Sequence, residues 1–214
     1  IKELVEKLKK LSYRPKPVRR VYIDKGKNKK RPLGIPAYED KIVQLGLKRI
    51  LEAIYEEDFL ECSFGFRPEK SCHDALKELN RIIEDGKISY VADADIRGYF
   101  DNIDHDWLMK FIGHRIKDPN IKRLIVRFLK SGVMEEGELS PTLEGTPQGG
   151  VISPLLANIY LHYALDLWFV KVVKEHLSGQ AEIVRYADDY VCCFQRKKEA
   201  YKFYEVLQKR LAKF

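Results

Sequence analysis

The sequence predicts an α+β fold, and three observations carry that prediction. Runs of β-branched and aromatic residues are joined in pairs by turn-forming residues, the pattern of antiparallel hairpins. Longer segments between them repeat apolar residues at helical spacing. The third is Tyr186-Ala187-Asp188-Asp189, set between the strand-like runs Ile183-Val184 and Tyr190-Val191-Cys192-Cys193-Phe194. Two such runs meeting at an Asp-Asp pair read as a tight hairpin with its acids near the tip. Adjacent carboxylates repel, and a divalent cation neutralises them. An Asp-rich surface turn is the other reading of an isolated pair.

Ile1 to Leu11 is predicted as a Lys/Glu helix carrying Leu4, Val5, Leu8 and Leu11 at helical spacing. Arg19 to Ile23 and Arg31 to Ile35 read as strands around a Lys/Gly/Asn turn over Lys25 to Lys30, giving a basic hairpin. Asp40 to Tyr55 is a helix, Ser63 to Pro68 is irregular, and Ser71 to Glu84 is helical again, ending near Gly86. Ile88 to Ile96 is a strand on which Val91, Asp93 and Asp95 share one face, because strand side chains alternate with a period of two. Amphipathic helices follow at Asp106 to Gly113 and Asn120 to Gly132. The Gly-rich loop Gly145-Thr146-Pro147-Gln148-Gly149-Gly150 leads to Ser153-Pro154, which suits the N-cap and first position of a long helix. That helix has the apolar stripe Leu156, Ile159, Tyr160, Tyr163, Leu167 and Val170, and a last helix runs from Lys197 to Phe214.

Composition narrows the function. The 214 residues suffice for one substantial core or for two lobes, and 45% hydrophobic content excludes a disordered chain. Lys and Arg number 39 against 32 Asp and Glu, and the net charge of +7 suggests a polyanionic partner. Basic residues crowd the first third, interrupted by prolines, Tyr13 and Tyr22. That is the pattern of a folded, phosphate-contacting lobe rather than a solvated tail. Four cysteines without a C-x-x-C pair exclude a recognisable zinc site and read as packing thiols in a reducing cytosol. The longest apolar stretch, Leu155 to Val173, contains His162 and Asp166 and is too polar to span a bilayer, so no membrane partner is expected.

Asp95 closes its strand beside Ile96-Arg97-Gly98, an arrangement common to cation ligands and to turn caps. Joining it to Asp188 and Asp189 requires a sheet in which this strand and the acidic hairpin are neighbours. Carboxylates from separate elements can then bridge two ions. Mg²⁺, with Mn²⁺ as a substitute, suits an all-oxygen set, and the absence of His from these motifs counts against zinc. The Gly145–Gly150 loop is not a Walker loop, since no Gly-Lys-Ser/Thr follows.

Five segments in order carry a family resemblance: Lys29 to Pro36; Ser63-Phe64-Gly65-Phe66-Arg67-Pro68 with Ser71 to Leu76; Ala94 to His105; Gly145 to Asn158; and Arg185 to Asp189. Together they resemble the fingers and palm of a reverse transcriptase of the group II intron-encoded, or maturase, type. The resemblance implies a right-hand polymerase palm, an antiparallel sheet backed by helices, with helix-rich basic fingers. It divides the chain into fingers over 1–87, a palm strand over 88–106, a helical insertion over 107–143 and palm over 144–214. It also implies that an upstream segment, the thumb and downstream domains lie outside this sequence. Asp24 stands where many relatives have Pro.

The implied activity is RNA-directed DNA polymerisation, with dNTPs added to a DNA primer on an RNA template; the intact protein would also bind intron RNA and assist splicing. Asp95 and Asp188 would hold both metals, with Asp189 close by and the Ile96 carbonyl as a further ligand. The amides of Gly98 and Tyr99 would face the triphosphate, as would Lys25 and Lys41. Phe100 would exclude a 2′-hydroxyl, although a core phenylalanine is the plainer reading of such a residue. Gln148 would touch the nascent pair, Arg19 the template, and Lys29, Lys30 and Arg31 the RNA. His73 and His105 would be structural hydrogen-bonders. The palm flank left without a thumb implies a tendency to dimerise, and the family's setting implies a cytoplasmic, bacterial-type location. The alternatives are an RNA-binding maturase module without polymerase activity and a retron or CRISPR-associated reverse transcriptase.

Overall fold

The structure is a computed structural model that describes residues 1–24, 26, 30–146 and 148–214. Its elements in chain order are α1 (Lys2–Lys9), β1 (Val18–Asp24), β2 (Lys30–Ile35), α2 (Tyr38–Tyr55), α3 (Cys72–Asp85), β3 (Tyr90–Asp95), α4 (His105–Arg115) and α5 (Pro119–Leu129). Then follow β4 (Val133–Glu135), β5 (Glu138–Ser140), α6 (Ser153–Leu161), β6 (Ala181–Tyr186), β7 (Asp189–Phe194) and α7 (Lys197–Leu211). The chain forms two compact units: Ile1–Ile54 with Phe100–Leu156, and Tyr55–Tyr99 with Ala157–Phe214.

In the first unit, β1 pairs antiparallel with β2 from Arg19↔Ile35 to Asp24↔Lys30. It also pairs in parallel with β4 at Val18↔Val133 and Arg19↔Met134, giving the order β2-β1-β4-β5. The β4–β5 hairpin is an addition to the sequence reading, which treats 107–143 as helical. Its strands are three residues long and Glu-rich, so they carry little β signal. Its turn is legible only in hindsight: Glu136 and Gly137 both have positive φ (49° and 90°), the requirement of a two-residue hairpin loop. Asp104 and Asp118 cap α4 and α5 through hydrogen bonds accepted from Trp107 N (2.7 Å) and from Asn120 N and Ile121 N (2.7 and 3.0 Å). Leu108 and Ile112 of α4 and Ile125 and Leu129 of α5 are buried.

In the second unit the sheet order is β3-β7-β6, antiparallel throughout. Alternation puts Val184, Val191 and Cys193 on one face, where they pack with Phe64, Ala75 and Ile82; α3 supplies the last two. Ser71 and Asp74 form a reciprocal capping box that starts α3. Phe194 points to the other face, against Phe203 of α7 (ring centroids 5.1 Å) and Phe169 (6.2 Å). The long helix expected after Ser153 keeps its course, but His162–Asp166 and Phe169–Val173 widen into π-helical turns. Ser63 adds to the free side of β6 by a parallel bridge to Arg185, with Arg185 N donating to the Cys62 carbonyl at 2.7 Å and Phe64 N to the Arg185 carbonyl at 2.9 Å. Cys192 and Cys193 are buried as expected, whereas Cys72 is exposed; all four thiols are free. Among the described residues no helix is long and apolar enough to cross a membrane.

Candidate active site

The three motif acids meet in the second unit. Asp95, the last residue of β3, lies directly opposite Asp189, the first residue of β7. Directly opposed residues on one face of an antiparallel pair have Cβ atoms about 4.5–5.5 Å apart, and like charges there are destabilising. Asp188 precedes Asp189 in the turn, and Asp93 and Val91 follow Asp95 along the same exposed face of β3, as the period of two predicts. The Asp189 carboxyl is pushed above its ordinary range, first by desolvation and then by Asp188, Asp95 and Asp93. The fold therefore gathers negative charge at this end of the sheet.

Among the described residues, no group of three or more His, Cys, Asp or Glu is arranged to hold an ion by itself. Opposed carboxylates on an open sheet face do fit a hard divalent cation whose shell is completed by water and substrate oxygens, as Mg²⁺ prefers. The Ile96 carbonyl, expected as a further ligand, accepts from Tyr99 N at 3.2 Å in a turn with Gly98 at φ +63°. A carbonyl oxygen has two lone pairs, so this one bond does not by itself exclude a cation. The Tyr99 amide, expected to face a triphosphate, is spent on that turn. The Tyr99 hydroxyl donates to the Ala157 carbonyl at 2.6 Å.

The remaining predicted residues that the structure describes lie in the first unit, apart from His73. Gln148 is fixed at both ends of its amide: Oε1 accepts from Arg31 Nε at 3.0 Å and Nε2 donates to Asp101 Oδ2 at 3.1 Å. Its backbone carbonyl accepts from Gly34 N at 2.6 Å, which ties the Gly-rich loop to β2. Gly145 (φ +82°) allows the loop to close on the Phe100 turn, since a Cβ there would fall 2.7 Å from the Asp101 carbonyl oxygen and 2.8 Å from that of Phe100. His105 Nε2 donates to the Gly145 carbonyl at 2.6 Å, the structural role expected of it, while His73 is exposed. Phe100 is buried at 9% exposure. Arg19, Lys30, Arg31 and Lys41 are exposed, and Lys25 and Lys29 lie outside the described residues. A cavity of about 420 Å³ lined by Arg20, Gly34, Glu135, Thr142, Thr146 and Gln148, among others, joins the sheet to the loop.

Sequence reasoning assigned no role to Arg185, whose guanidinium makes five hydrogen bonds in the second unit. It is fully buried and pairs with the equally buried Asp166. The signal was present: an arginine among apolar strand residues, and an aspartate in the chain's longest apolar stretch. Arg67 was also passed over. It holds the 63–67 segment by donating to the Leu60 and Ser63 carbonyls (both 2.8 Å) and to Glu56 (3.0 Å).

An antiparallel sheet with opposed carboxylates at one end, joined in sequence order to a Gly-rich loop, matches a known family. Residues 23–214 fit the family described as reverse transcriptase (RNA-dependent DNA polymerase). The chain belongs to that family. Group II intron-encoded protein LtrA of Lactococcus lactis subsp. cremoris is 51% identical over 163 residues, covering 76% of this chain and 27% of LtrA. Protein YkfC of Escherichia coli (strain K12) is 38% identical, covering 84% of this chain and 54% of YkfC. The chain thus spans about a quarter of the one relative's length and about half of the other's. The resemblance read from five motifs is to the same group II intron-encoded type. Among solved structures, the telomerase of Candida albicans in complex with a fragment of telomeric RNA matches with a TM-score of 0.65 at 13% identity, over 93% of this chain and 41% of that one. A Cas6-RT-Cas1–Cas2 complex matches with a TM-score of 0.51 at 21% identity, over 99% of this chain and 35% of that one. At these identities the likeness concerns the fold, and the shared fold is the α+β polymerase palm and fingers expected from the sequence.

Proposed function

We propose that this chain is the catalytic part of an RNA-directed DNA polymerase that adds dNTPs to a primer 3′-hydroxyl on an RNA template. The observation that carries this reading is the Asp95–Asp189 cross-strand pair with Asp188 in the adjoining turn. A protein that only gripped RNA would gain nothing from three carboxylates gathered at one end of a sheet beside a polyanion. Asp95, Asp188 and Asp189, with the Ile96 carbonyl, would hold two Mg²⁺ ions, for which Mn²⁺ can substitute. When bound, such a pair of ions supplies activation of the attacking hydroxyl and neutralisation of the leaving pyrophosphate. The protein's own share is placement and electrostatics.

In this reading, residues 1–87 are fingers, 88–106 the first palm strand, 107–143 an insertion and 144–214 palm. Gln148, braced between Arg31 and Asp101, presents an oriented amide to the incoming pair. The Gly98 backbone and Lys41 meet the triphosphate, as does Lys25. Arg19, Lys29, Lys30 and Arg31 meet template or intron RNA. Phe100 excludes a 2′-hydroxyl by bulk. The exposed basic β1–β2 hairpin favours a second, compatible role of the whole protein in binding intron RNA during splicing. The deciding experiment is primer extension on an RNA template by the full-length protein, with and without Asp188→Asn. Extension by the wild type that is abolished in the variant supports the polymerase. Equal extension by both removes the metal assignment.

A further inference from the structure

The acidic turn is held from behind by a charge that the chemistry above does not use. Arg185 donates from Nε and Nη2 to the two carboxylate oxygens of Asp166 at 2.8 and 2.6 Å. Its Nη1 donates to Asn158 Oδ1 (3.0 Å) and to the Ala187 carbonyl (2.8 Å), and Nη2 also donates to Ser63 Oγ (2.7 Å). Asn158 in turn donates to the Gly65 carbonyl at 2.7 Å. Gly65 lies so close to the turn that a Cβ on it would fall 2.3 Å from Ala187 N. Ala187 itself sits at φ +60°, a left-handed conformation that a residue with a Cβ holds only where its surroundings enforce it.

A buried ion pair gives little net stability over apolar side chains of the same volume. Stability is therefore a weak account of this one. Its geometry offers a better account, because a fork bonded to four groups fixes each of them relative to the others. One of the four is the peptide carbonyl that joins Ala187 to Asp188.

We propose that Arg185 is the positioning residue of the acidic turn. By holding the Ala187 carbonyl against Asp166, Asn158 and the Ser63–Gly65 brace, it keeps Ala187 left-handed and sets where the Asp188 and Asp189 carboxylates stand. It touches neither substrate nor ion. The role rests on the polymerase reading only for its activity readout.

The test uses full-length protein and the double variant Arg185→Met/Asp166→Leu, which removes both charges at similar volume. Three quantities are measured: melting temperature, Mn²⁺ affinity by electron paramagnetic resonance with Asp188→Asn as the blank, and kcat and KM for single-nucleotide extension. The expected result is a melting temperature close to wild type, Mn²⁺ affinity and kcat each lower by about 10–100-fold, and a KM for dNTP little changed. Arg185→Lys keeps the charge beside Asp166 but loses the fork, so it should fold and show the same weakened Mn²⁺ binding. A folded double variant with wild-type Mn²⁺ affinity overturns the proposal, whether or not the protein extends primers. If the double variant does not fold, Arg185→Lys decides: a tenfold loss of Mn²⁺ affinity supports positioning, and wild-type affinity overturns it. A wild type that binds Mn²⁺ through Asp188 but extends no primer sinks the polymerase reading and leaves the positioning role standing.

Discussion

Two of the hairpins, β6–β7 and β1–β2, carry opposite charge and are built on opposite principles. β6–β7 turns in two residues, buries most of its side chains and is anchored by an arginine with no exposed surface. β1–β2 leaves Tyr22 and Ile23 about half exposed and carries exposed cations such as Arg31, whose Nε bonds Gln148. The contrast matches what each charge would have to meet in the proposed function. A carboxylate that shares an ion with another carboxylate works at one position, so its backbone must be fixed. A cation that meets a phosphate works from many positions, because a long stem and a diffuse partner tolerate error. Substitutions in the acidic hairpin should therefore abolish a function, and substitutions in the basic one should weaken a function by degrees.

The largest expected effect tests the first half of that contrast. Asp95→Asn or Asp188→Asn should lower primer extension by at least about a hundredfold, the upper end of what losing support around a metal costs. In metal-free buffer Asp95→Asn should also raise the melting temperature, since it removes a charge directly opposite Asp189. Added Mg²⁺ should stabilise the wild type more than the variant. Calorimetry of both proteins with and without Mg²⁺ checks this. A variant less stable than wild type in chelator would mean that the opposed acids are not in conflict.

Phe100→Ala comes next, and it asks whether the first unit holds a position as exacting as those in the second. A gate predicts increased ribonucleotide relative to deoxynucleotide incorporation, by exclusion lost rather than attraction gained. A purely packing ring predicts a stability loss of about 3–5 kcal/mol with unchanged sugar preference. The ratio of kcat/KM for the two sugars, read beside the melting temperature, separates the two.

Charge reversal at Lys30 and Arg31 should act by degrees. Each lost phosphate contact should flatten the slope of log affinity against log salt by about 0.7 for single-stranded RNA, with affinity falling across sequences alike. Binding titrations at several salt concentrations measure it. An all-or-none loss, or an unchanged slope, would break the contrast between the hairpins.

Much of this was legible in the sequence because it is local. A two-residue turn between β-rich runs, and the period of two that puts Val91, Asp93 and Asp95 on one face, need only neighbouring residues. The brace was not legible, because Arg185 finds Asp166 nineteen residues away and Ser63 at a separation of 122, and no local period reports such partners. The β4–β5 hairpin escaped for a related reason: its strands are three residues long, and β4 pairs with β1, which is distant in sequence. Sequence context separates Arg31, on a basic strand, from Arg185, among apolar residues, but only the third dimension shows what Arg185 holds.

The smallest effect comes from inside the brace and concerns pH. His162 is buried in the widened turn that also carries Asp166, with its ring edge-on to Phe59 (5.6 Å) and Tyr163 (4.9 Å). Burial holds its pKa below the ordinary histidine value, outweighing the attraction of Asp166 and Asp58 for a proton. The unfolded chain therefore takes up this proton first as pH falls. The stability tied to the neutral ring is present above the unfolded-state value of about 6.5 and is lost as pH drops through the lower folded value. One proton limits the slope to about 1.4 kcal/mol per pH unit. Melting temperatures of wild type and His162→Gln between pH 7.5 and 5.5 should therefore converge on acidification, with the wild type losing more. Parallel curves would show that the ring titrates alike in both states. The second unit's stability would then be insensitive to acid at this position, as β1–β2, which contains no histidine, is expected to be.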